Sequence, residues 1–577
     1  MSAYSCYNAA ASTGKTWYVS ASAASGGTGT KTAPFSTLAA VQTASGPGDT
    51  IVILASPVSS TPLDGGIALQ QGQRLVGNGP TVLTAGAAPM QGSLPLVGSS
   101  SASSLPVVTN STTANNGDAI ELANNASVYN VVVKGATRGG IYGSNVTGVC
   151  VQGNDVSATN TSKTVGFQVL PFYLESYTAG QANHVSLNTG WASIMVDEST
   201  GTASVTIDGN YVHGGICSDG IDLRSMGTAV ETAQENGNFV TGLVQCSAVN
   251  AVQAFSTQAN VNGSLNVTLY GNTQENNGSS GADTEALFVN EGGSGQLVEN
   301  VSYNYYNTGI GGASTNGLEF IVGDGTDETG NVTVTNSTFI NNPGDMIEMF
   351  NRGTGSQTKL TLTNDTVQST TISGGLPSYA DPAGQATTPD NTGECIGVGS
   401  VGAGNTSTLV LQGTVLESCG NDGIAITNNH PTAQGAGSPA LVSVDLENST
   451  IMNVKYYGLW MNTVTPLQTL SIKAQDTAFL TSSSGVLLGF DDQSTGGTTT
   501  SAIDLGGGSL GSTGGNCFLG GDLLTLEATG YNVSANSDWW GAASGPASGT
   551  VQIQPTGFTA STATPLASAP AYCSSPG

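Results

Sequence analysis

Apolar and polar residues alternate in a short phrase that recurs along the whole chain. A small or acidic residue precedes an apolar, a variable and a second apolar residue, as in DGIDL at 219–223 and DGIAI at 422–426. Alternation with a period of two is typical of strands, whereas an amphipathic helix has a period of 3.6 residues. The first apolar residues of the copies are Ile120, Ile141, Phe167, Ile194, Ile221, Val252, Leu287, Leu318, Ile347, Ile396, Ile424, Leu459, Leu487 and Leu519.

The spacing of the copies predicts the architecture. The interval is 21 residues between Ile120 and Ile141 and 49 residues between Ile347 and Ile396. A strand-forming repeat in this range indicates a β-solenoid, in which each coil packs only on its neighbours.

A second phrase lies upstream of most copies and stops at Asn. Examples are VTIDGN at 205–210, VTLYGN at 267–272, VTVTN at 332–336 and LTLTN at 360–364. Asn tolerates the left-handed backbone of a tight bend, and its side chain can bond the backbone of the neighbouring coil. We therefore expect an internal Asn ladder, and we assign the Asn-x-Ser/Thr sequons at Asn336 and Asn364 to this ladder instead of to glycan attachment.

With these phrases the chain resembles the right-handed parallel β-helix proteins of the pectate-lyase-like superfamily. The resemblance also includes WYVSAS at 17–22 and DWWG at 538–541, and it implies an all-β, right-handed, single-stranded parallel β-helix of about 13 or 14 coils. The segment 34–44 is predicted to form a short capping helix. The expected domains are an N-terminal cap over 1–50, the β-helix over 51–545, and a C-terminal cap or tail over 546–577.

The composition of the chain limits the classes of molecule that it is expected to bind. The chain has 11 Lys and Arg against 39 Asp and Glu, a net charge of −28, and only 9% charged residues. Nucleic acid is an improbable partner because phosphate contacts need clustered Lys and Arg. A strongly anionic polymer is disfavoured unless Ca²⁺ bridges the charges, and no cofactor motif is found. A neutral polysaccharide is the expected partner, self-association is an alternative, and no apolar run reaches the length of a membrane span.

The eight cysteines are spread along the chain without a Cys-x-x-Cys pair. An even number in a Ser-, Thr- and Asn-rich chain predicts a secreted, extracellular or cell-surface protein with disulfides. Position favours the pairs Cys217 with Cys246, Cys395 with Cys419, and Cys517 with Cys573. Cys150 in a Val-Cys-Val strand is equally compatible with a buried free thiol.

Two charged clusters are predicted on the outer face of the strands. In each copy of the phrase the first apolar residue points inward, so the residue that follows it and the residue two positions after that one point outward. Glu319 and Glu348 fall at the same position of adjacent coils, about 4.8 Å apart, which is typical of a retaining glycoside hydrolase. Asp222 is expected about 7–8 Å diagonally from Asp197, a separation that suits an inverting acid and base. Arg224 should lie directly beside Asp197.

The remaining outward positions predict a substrate surface of amides and aromatic rings. Its members are Gln253, Phe255, Phe288, Asn290, Phe350 and Trp460. Other interpretations stay open: a solvated acidic stripe or cation site for the two glutamates, a plain surface ion pair for Asp197 with Arg224, and rings covered by loops.

One motif is similar to that of a known enzyme class. The run CSDGID at 217–222 resembles the NTDGID motif of the polygalacturonases, which would make Asp219 catalytic. The further acidic pair, the Gly-His-Gly and the Arg-Ile-Lys of that family are missing, so we do not assign this activity. Acidic residues that precede the repeated phrase are more often turn residues.

The function predicted first is a secreted glycoside hydrolase acting on a neutral or weakly charged polysaccharide. Glu319 and Glu348 are the preferred catalytic pair, because the long insertion at 370–393 follows the Glu348 strand and such loops are often functional. Asp222 is the reserve. A non-catalytic adhesin or structural solenoid is the alternative, and a Ca²⁺-dependent uronate lyase or epimerase is a second one.

Overall fold

A computed structural model describes most of the chain. The described residues are 6, 14–55, 61–78, 106–163, 165–168, 188–244, 252–260, 262–275, 277, 287–291, 294–307, 317–322, 326–341, 346–351, 353–368, 394–400, 404–427, 440–463, 469–481, 486–492, 502–520, 526–554 and 560–573.

The chain divides into two compact units. Unit 1 comprises Met1–Pro171, Ser186–Val289 and Gln296–Gly312, and unit 2 comprises Phe172–Val185, Asn290–Gly295 and Ala313–Gly577. In both units most coils contribute one strand to each of three parallel sheets, which we call sheets A, B and C in the order the chain visits them.

Unit 1 has a short helix after its first strand and continues as stacked coils. The helix Leu38–Ala44 is capped by the Thr37 hydroxyl, which accepts the Ala40 N–H at 3.2 Å, and it buries Leu38 and Val41, as the sequence predicted. A 3-10 helix spans Ala114–Gly117. Sheet A contains Thr16–Val19, Thr50–Leu54, Arg74–Asn78, Ser127–Tyr129, Val149–Gln152, Thr202–Asp208, Val230–Asn236, Ser264–Tyr270 and Gln296–Ser302; sheet B contains Val107–Val108, Val132–Lys134, Asp155–Ser157, Tyr211–His213, Phe239–Thr241, Thr273–Glu275 and Tyr305–Asn307; sheet C contains Ile67–Ala68, Ile120–Glu121, Ile141–Ser144, Asn188–Glu198, Ser218–Met226, Phe255–Asn260 and Leu287–Glu291.

Unit 2 repeats this three-strand coil. It ends in a 3-10 helix, Ala571–Cys573. Sheet A contains Thr329–Thr335, Gln357–Thr363, Thr406–Gln412, Leu441–Glu447, Thr469–Gln475, Ala502–Gly506, Val533–Ala535 and Ala560–Ser561; sheet B contains Thr338–Ile340, Thr366–Gln368, Val415–Glu417, Thr450–Met452, Ala478–Thr481 and Cys517–Gly520; sheet C contains Leu318–Val322, Ile347–Asn351, Ile396–Ser400, Ile424–Thr427, Tyr457–Thr463, Val486–Asp492, Leu526–Thr529 and Val551–Gln554.

The parallel register confirms the predicted β-helix. In sheet C, Ile141 pairs with Ile194, which pairs with Ile221, and Leu318 pairs with Ile347 in the same way. The inward residues at these positions are fully buried aliphatic side chains that form the core. Among the described residues no helix is long and apolar enough to span a membrane.

Four of the predicted strand markers are wrong in detail. Phe167 lies in the strand Val165–Gln168, which pairs antiparallel with Asn188–Glu198 and is not a coil strand. Leu519 lies in sheet B. Leu488, not Leu487, pairs with Leu459, and the Val252 marker is displaced because Phe255 pairs with Ile221. Inward and outward residues alternate in the strands of all three sheets. The apolar-x-apolar phrase alone therefore cannot identify the sheet to which a strand belongs or which of its residues point inward.

The Asn ladder is confirmed in unit 1 and occupies the bend between sheets A and B. Asn210 donates its side-chain N–H to Oδ1 of Asn238 at 3.0 Å, and Asn238 donates to Oδ1 of Asn272 at 3.1 Å. The ladder also includes Asn154 and Asn304, and all five side chains are buried. In unit 2 the equivalent positions are taken by Ser337, Asp365, Thr414, Ser449, Thr477, Asn516 and Asp538.

Asn336 and Asn364 do not belong to this ladder, so that part of the prediction is wrong. Both are exposed and occupy the left-handed bend position, with φ of 51° and 57°, one residue before the ladder residue. In unit 1 glycine fills the same bend position, for example Gly209 with φ of 58°. The two sequon amides therefore face solvent.

Replacing Asn238 with Ala should lower the free energy of unfolding by about 2–4 kcal/mol. The Asn238 side chain accepts the Asn210 backbone N–H at 2.9 Å and donates to the Ile207 carbonyl at 2.9 Å, and each orphaned buried partner costs about 1–3 kcal/mol. Urea titration followed by circular dichroism measures the change. Asn300→Ala, an exposed outward position of the same unit, is the matched control and should stay within about 0.5 kcal/mol.

Three disulfides are described, and they link Cys6 with Cys150, Cys395 with Cys419, and Cys517 with Cys573. The last two pairs were predicted. The alternative of a free core thiol at Cys150 is wrong, because Cys6 forms a disulfide with it. Cys217 is also disulfide-bonded, whereas its predicted partner Cys246 lies outside the described residues.

Candidate functional site

The richest cluster of polar side chains lies on the outer face of sheet C in unit 1. Asp197 pairs in register with Arg224, and Met195 pairs with Asp222, as the sequence predicted. On the preceding coil the same two columns hold Tyr142 and Ser144. Outward side chains from three successive strands therefore meet on one face.

Asp222 and Arg224 form a buried ion pair within one strand. The Arg224 guanidinium donates from Nε to Oδ2 of Asp222 at 2.7 Å and places a terminal nitrogen 2.6 Å from the same oxygen. Both side chains are essentially inaccessible, with 1% and 0% exposure. The alternative of a plain surface ion pair between Asp197 and Arg224 is wrong, because Asp197 and Arg224 are both buried and the guanidinium pairs with Asp222.

Asp197 lies beside this pair in a different electrostatic environment. Burial raises the pKa of Asp197 to about 6, the Arg224 guanidinium opposes the rise, and the Asp222 carboxylate adds to it. Glu198, the next residue, accepts the Val146 N–H at 2.7 Å, and burial raises its pKa to about 7. The face therefore holds a carboxyl group that is neutral in mildly acidic solution next to an arginine-bound carboxylate.

A cation and two aromatic rings border the cluster, and sequence reasoning missed this group. The Arg138 guanidinium lies 4.0 Å from the Trp191 ring centre and 5.1 Å from that of Tyr142, and it pairs with Asp118. Gly139 makes room for this packing, since a Cβ there would lie 2.7 Å from the Trp191 ring nitrogen. Arg138 stands in the bend before the strand Ile141–Ser144. Trp191 lies in the strand Asn188–Glu198 on the same side as Met195 and Asp197, but before the first apolar residue Ile194, so the two outward positions counted after that residue do not include it.

Asp219, the residue that matches the polygalacturonase motif, has a structural contact. Its Oδ1 accepts the Gln253 N–H at 3.0 Å from the next coil, and the residue is fully buried. Asp118 and Asp422 accept the Gly139 and Tyr457 N–H groups at 2.8 Å in the same manner. These three acidic residues thus bridge adjacent coils.

The predicted amide and aromatic surface is not assembled as expected in unit 1. Phe255 points inward, because it pairs with Ile221, and its ring lies edge-on to Tyr306 at 6.2 Å. Gln253 lies beside Asp219 and is buried. The sequence pattern predicted the inward position at Val252, three residues before Phe255, which occupies it in the structure. The side chains of Phe288 and Asn290 lie outside the described residues.

The second predicted cluster lies on sheet C of unit 2. Glu319 pairs in register with Glu348, as predicted; Glu319 is buried and Glu348 is partly exposed. On the same face the partly exposed Phe350 ring covers Gly399, where a Cβ would lie 2.1 Å from the ring. The insertion at 370–393 lies outside the described residues.

Trp460 is also on this outer face. Its ring covers Gly489 and lies 4.5 Å from the Tyr457 ring, and it is partly exposed. Alanine and glycine separate it from Phe350 along the face, at Ala425 and Gly399. Among the described residues, sheet C of unit 2 therefore presents the Phe350 ring, the neighbouring rings of Tyr457 and Trp460, and one carboxyl pair.

No three His, Cys, Asp or Glu side chains in the described part of the chain are placed to hold a metal ion.

Comparison with known proteins gives little beyond the fold. No protein-family model matches the chain, and no curated protein matches it either. A solved structure, the crystal structure of pectate lyase Pel9A, is similar over 83% of this chain and 77% of that chain, with 12% sequence identity and a TM-score of 0.25.

Proposed function

We propose that the protein is an extracellular glycoside hydrolase that acts on a neutral or weakly charged polysaccharide at the outer face of sheet C in unit 1. Asp197 is the general acid and Asp222 the general base. One observation supports this most: the two carboxyl groups stand on adjacent coils, and their surroundings differ as an acid and a base require.

Each residue has a defined task in this mechanism. Asp197, protonated below a pH of about 6, donates its proton to the oxygen of the leaving sugar as the glycosidic bond breaks. Asp222 accepts a proton from a water molecule that attacks the opposite face of the sugar, which requires this carboxylate, 0% exposed in the structure, to become accessible when the substrate binds. Arg224 holds the Asp222 carboxylate in place. The diagonal separation of about 7–8 Å between adjacent strands leaves room for the water and predicts inversion of the anomeric centre.

The charges on this face favour an uncharged substrate. Both guanidinium groups are already paired, Arg138 with Asp118 and Arg224 with Asp222. Asp197 remains as an additional acidic group, so the face has no surplus positive charge for a uronate polymer. The disulfides support an oxidising, extracellular location.

The Glu319 and Glu348 pair is the second candidate site, favoured by its register and by the partly exposed Phe350 beside it. Two carboxyl groups at one position of adjacent coils are close enough for nucleophile and acid, so this site would retain the anomeric configuration. The two candidates thus predict opposite stereochemistry.

The test is hydrolysis of a panel of neutral polysaccharides, with the anomer of the first product assigned by NMR. We expect an inverted product, and we expect Asp197→Asn to reduce the rate about 10²- to 10⁴-fold without changing the melting temperature. Glu348→Gln should leave the rate unchanged. A retained product lost in Glu348→Gln would assign the reaction to the second pair, and glycan binding without cleavage would favour an adhesin.

A further inference from the structure

Three glutamates face the interior of the β-helix in unit 1. Glu231 and Glu235 lie on the sheet A strand Val230–Asn236, where buried and exposed residues alternate, and Glu299 lies two coils later on Gln296–Ser302. All three lie at those alternate positions of their strands whose side chains are buried. Inward positions of a parallel β-helix are normally apolar, so three carboxyl groups there are unusual.

Neighbouring coils place aliphatic residues at the same positions. Glu235 pairs with Ile207 on one side and Leu269 on the other. Glu299 pairs with Val267. The fold therefore does not require a carboxyl group at these positions, and an aliphatic residue would pack there as it does one coil away. Polar residues that oppose the packing pattern point to a function other than stability.

The carboxyl groups have few partners. Among the described residues, no oxygen of Glu231 or Glu235 has a hydrogen-bond partner, although the two residues are 1% and 0% exposed. Glu299 accepts one hydrogen bond at Oε2 from the Thr257 hydroxyl at 2.6 Å, and its Oε1 has no partner in the described part of the chain. Buried carboxylates without compensating hydrogen bonds or countercharges are strongly unfavourable, whereas the neutral acid is tolerated.

The charged groups near these residues are themselves acidic. Glu231 faces the charges of Glu198, Asp197, Glu235 and Asp222, and all of them oppose its ionisation. Glu235 faces Glu299 and Asp222, and the buried Tyr306 phenol lies near both Glu235 and Glu299.

No described cation compensates them. The described strands of unit 1 from Thr202–Asp208 to Tyr305–Asn307 contain one arginine, Arg224, which is turned outward and paired with Asp222, and one histidine, His213, on the outer face of sheet B bonded to Asp155. Burial raises the pKa of Glu299 to about 8 and raises the pKa values of Glu231 and Glu235 well above their usual range.

From this arrangement we propose that Glu231, Glu235 and Glu299 form a proton-dependent core, which is stable while the three side chains are protonated and loosens when they ionise. The protein is thereby adapted to acidic surroundings, and alkaline solution opens unit 1 from within.

The sign follows from proton linkage. In the unfolded chain these groups lose their protons near the ordinary pKa of 4.5, whereas in the folded chain Glu299 keeps its proton up to about 8. The stabilisation is fully present below the unfolded pKa and is lost as the pH rises through the folded pKa. Stability should therefore fall between about pH 5 and pH 8, where proteins with ion-paired carboxylates are at their most stable.

The experiment is a series of thermal melts of the intact protein from pH 4 to pH 9, with Glu235→Gln and Glu299→Gln singly and together. Gln has the shape of the protonated acid and cannot ionise, so we expect wild type to melt progressively lower above pH 5. Each variant should melt about 2–4 °C above wild type at pH 8 and equal it at pH 4. Glu447→Gln, a partly exposed outward position in unit 2, is the control and should leave the pH dependence unchanged.

Two results would overturn the proposal: a wild-type melting temperature that is constant or rises from pH 5 to pH 8, or Gln variants less stable than wild type at pH 8. If a Gln variant does not fold, Glu235→Leu, which copies Leu269 of the next coil, replaces it. Infrared spectroscopy gives a direct readout, because wild type should keep a protonated-carboxyl band at pH 7 that weakens in Glu235→Gln/Glu299→Gln. No such band in wild type would equally contradict the proposal.

Discussion

Replacing Arg224 with Met should lower the free energy of unfolding by about 3–5 kcal/mol at neutral pH, the effect expected when one member of a buried ion pair is removed. Met retains much of the volume of the Arg side chain but removes the charge that faces the Asp222 carboxylate at 2.6 Å. Asp222 is then a buried anion, and Asp197 on the adjacent strand loses the same neighbour. Urea unfolding at pH 7 measures the loss.

Two comparisons separate the charge effect from packing. Arg224→Met combined with Asp222→Leu removes both charges and should recover most of the lost stability, since replacing a whole buried pair by apolar residues is often neutral. Lys473→Met breaks the pair of Lys473 with Asp445 at 3.3 Å, where both side chains are partly exposed, and should cost less than about 1 kcal/mol. Equal losses for Arg224→Met and Lys473→Met would contradict a buried pair.

The register was predictable from sequence wherever two adjacent copies of the phrase are unambiguous. Glu319 with Glu348 and Asp197 with Arg224 are separated by about one coil in the chain, and alternation alone placed each pair together. Phe255 shows the limit. Both Val252 and Phe255 begin an apolar alternation, and only hydrogen bonding to the neighbouring strand selects Phe255 as the inward residue.

The interior glutamates could not be found in this way. In the strand Val230–Asn236, Val, Thr and Gln alternate with Glu, Ala and Glu, so hydropathy alone predicts that the glutamates point to the outside. The pairing of Glu235 with Ile207 and Leu269 shows instead that the glutamates point to the interior. Arg138 and Trp191 were missed for other reasons. Trp191 follows the alternation of its strand, but only the outward positions after the first apolar residue Ile194 were counted. Arg138 approaches the face from a bend outside the strands, and such a side chain leaves no periodic signal.

The two proposals for unit 1 predict a response to pH in the same direction. In the proposed mechanism Asp197 acts as an acid only while it is protonated, and in the proposed proton-dependent core the interior glutamates preserve the fold only while they are protonated. A hydrolase with both features would work best in acid. The two effects are separable because only the interior groups act through stability.

The rate of hydrolysis should therefore fall about 50-fold between pH 6 and pH 8. Asp197 has a pKa of about 6, so the fraction of protonated acid decreases from about one half at pH 6 to about one hundredth at pH 8. Initial rates are measured in the double variant Glu235→Gln/Glu299→Gln, in which we expect unit 1 to stay folded from pH 6 to pH 8. Circular dichroism at each pH verifies that it does. In that background Asp197→Asn should leave only a slow residual rate without this alkaline limb. A rate that stays constant from pH 6 to pH 8 while the protein is folded would exclude Asp197 as the general acid.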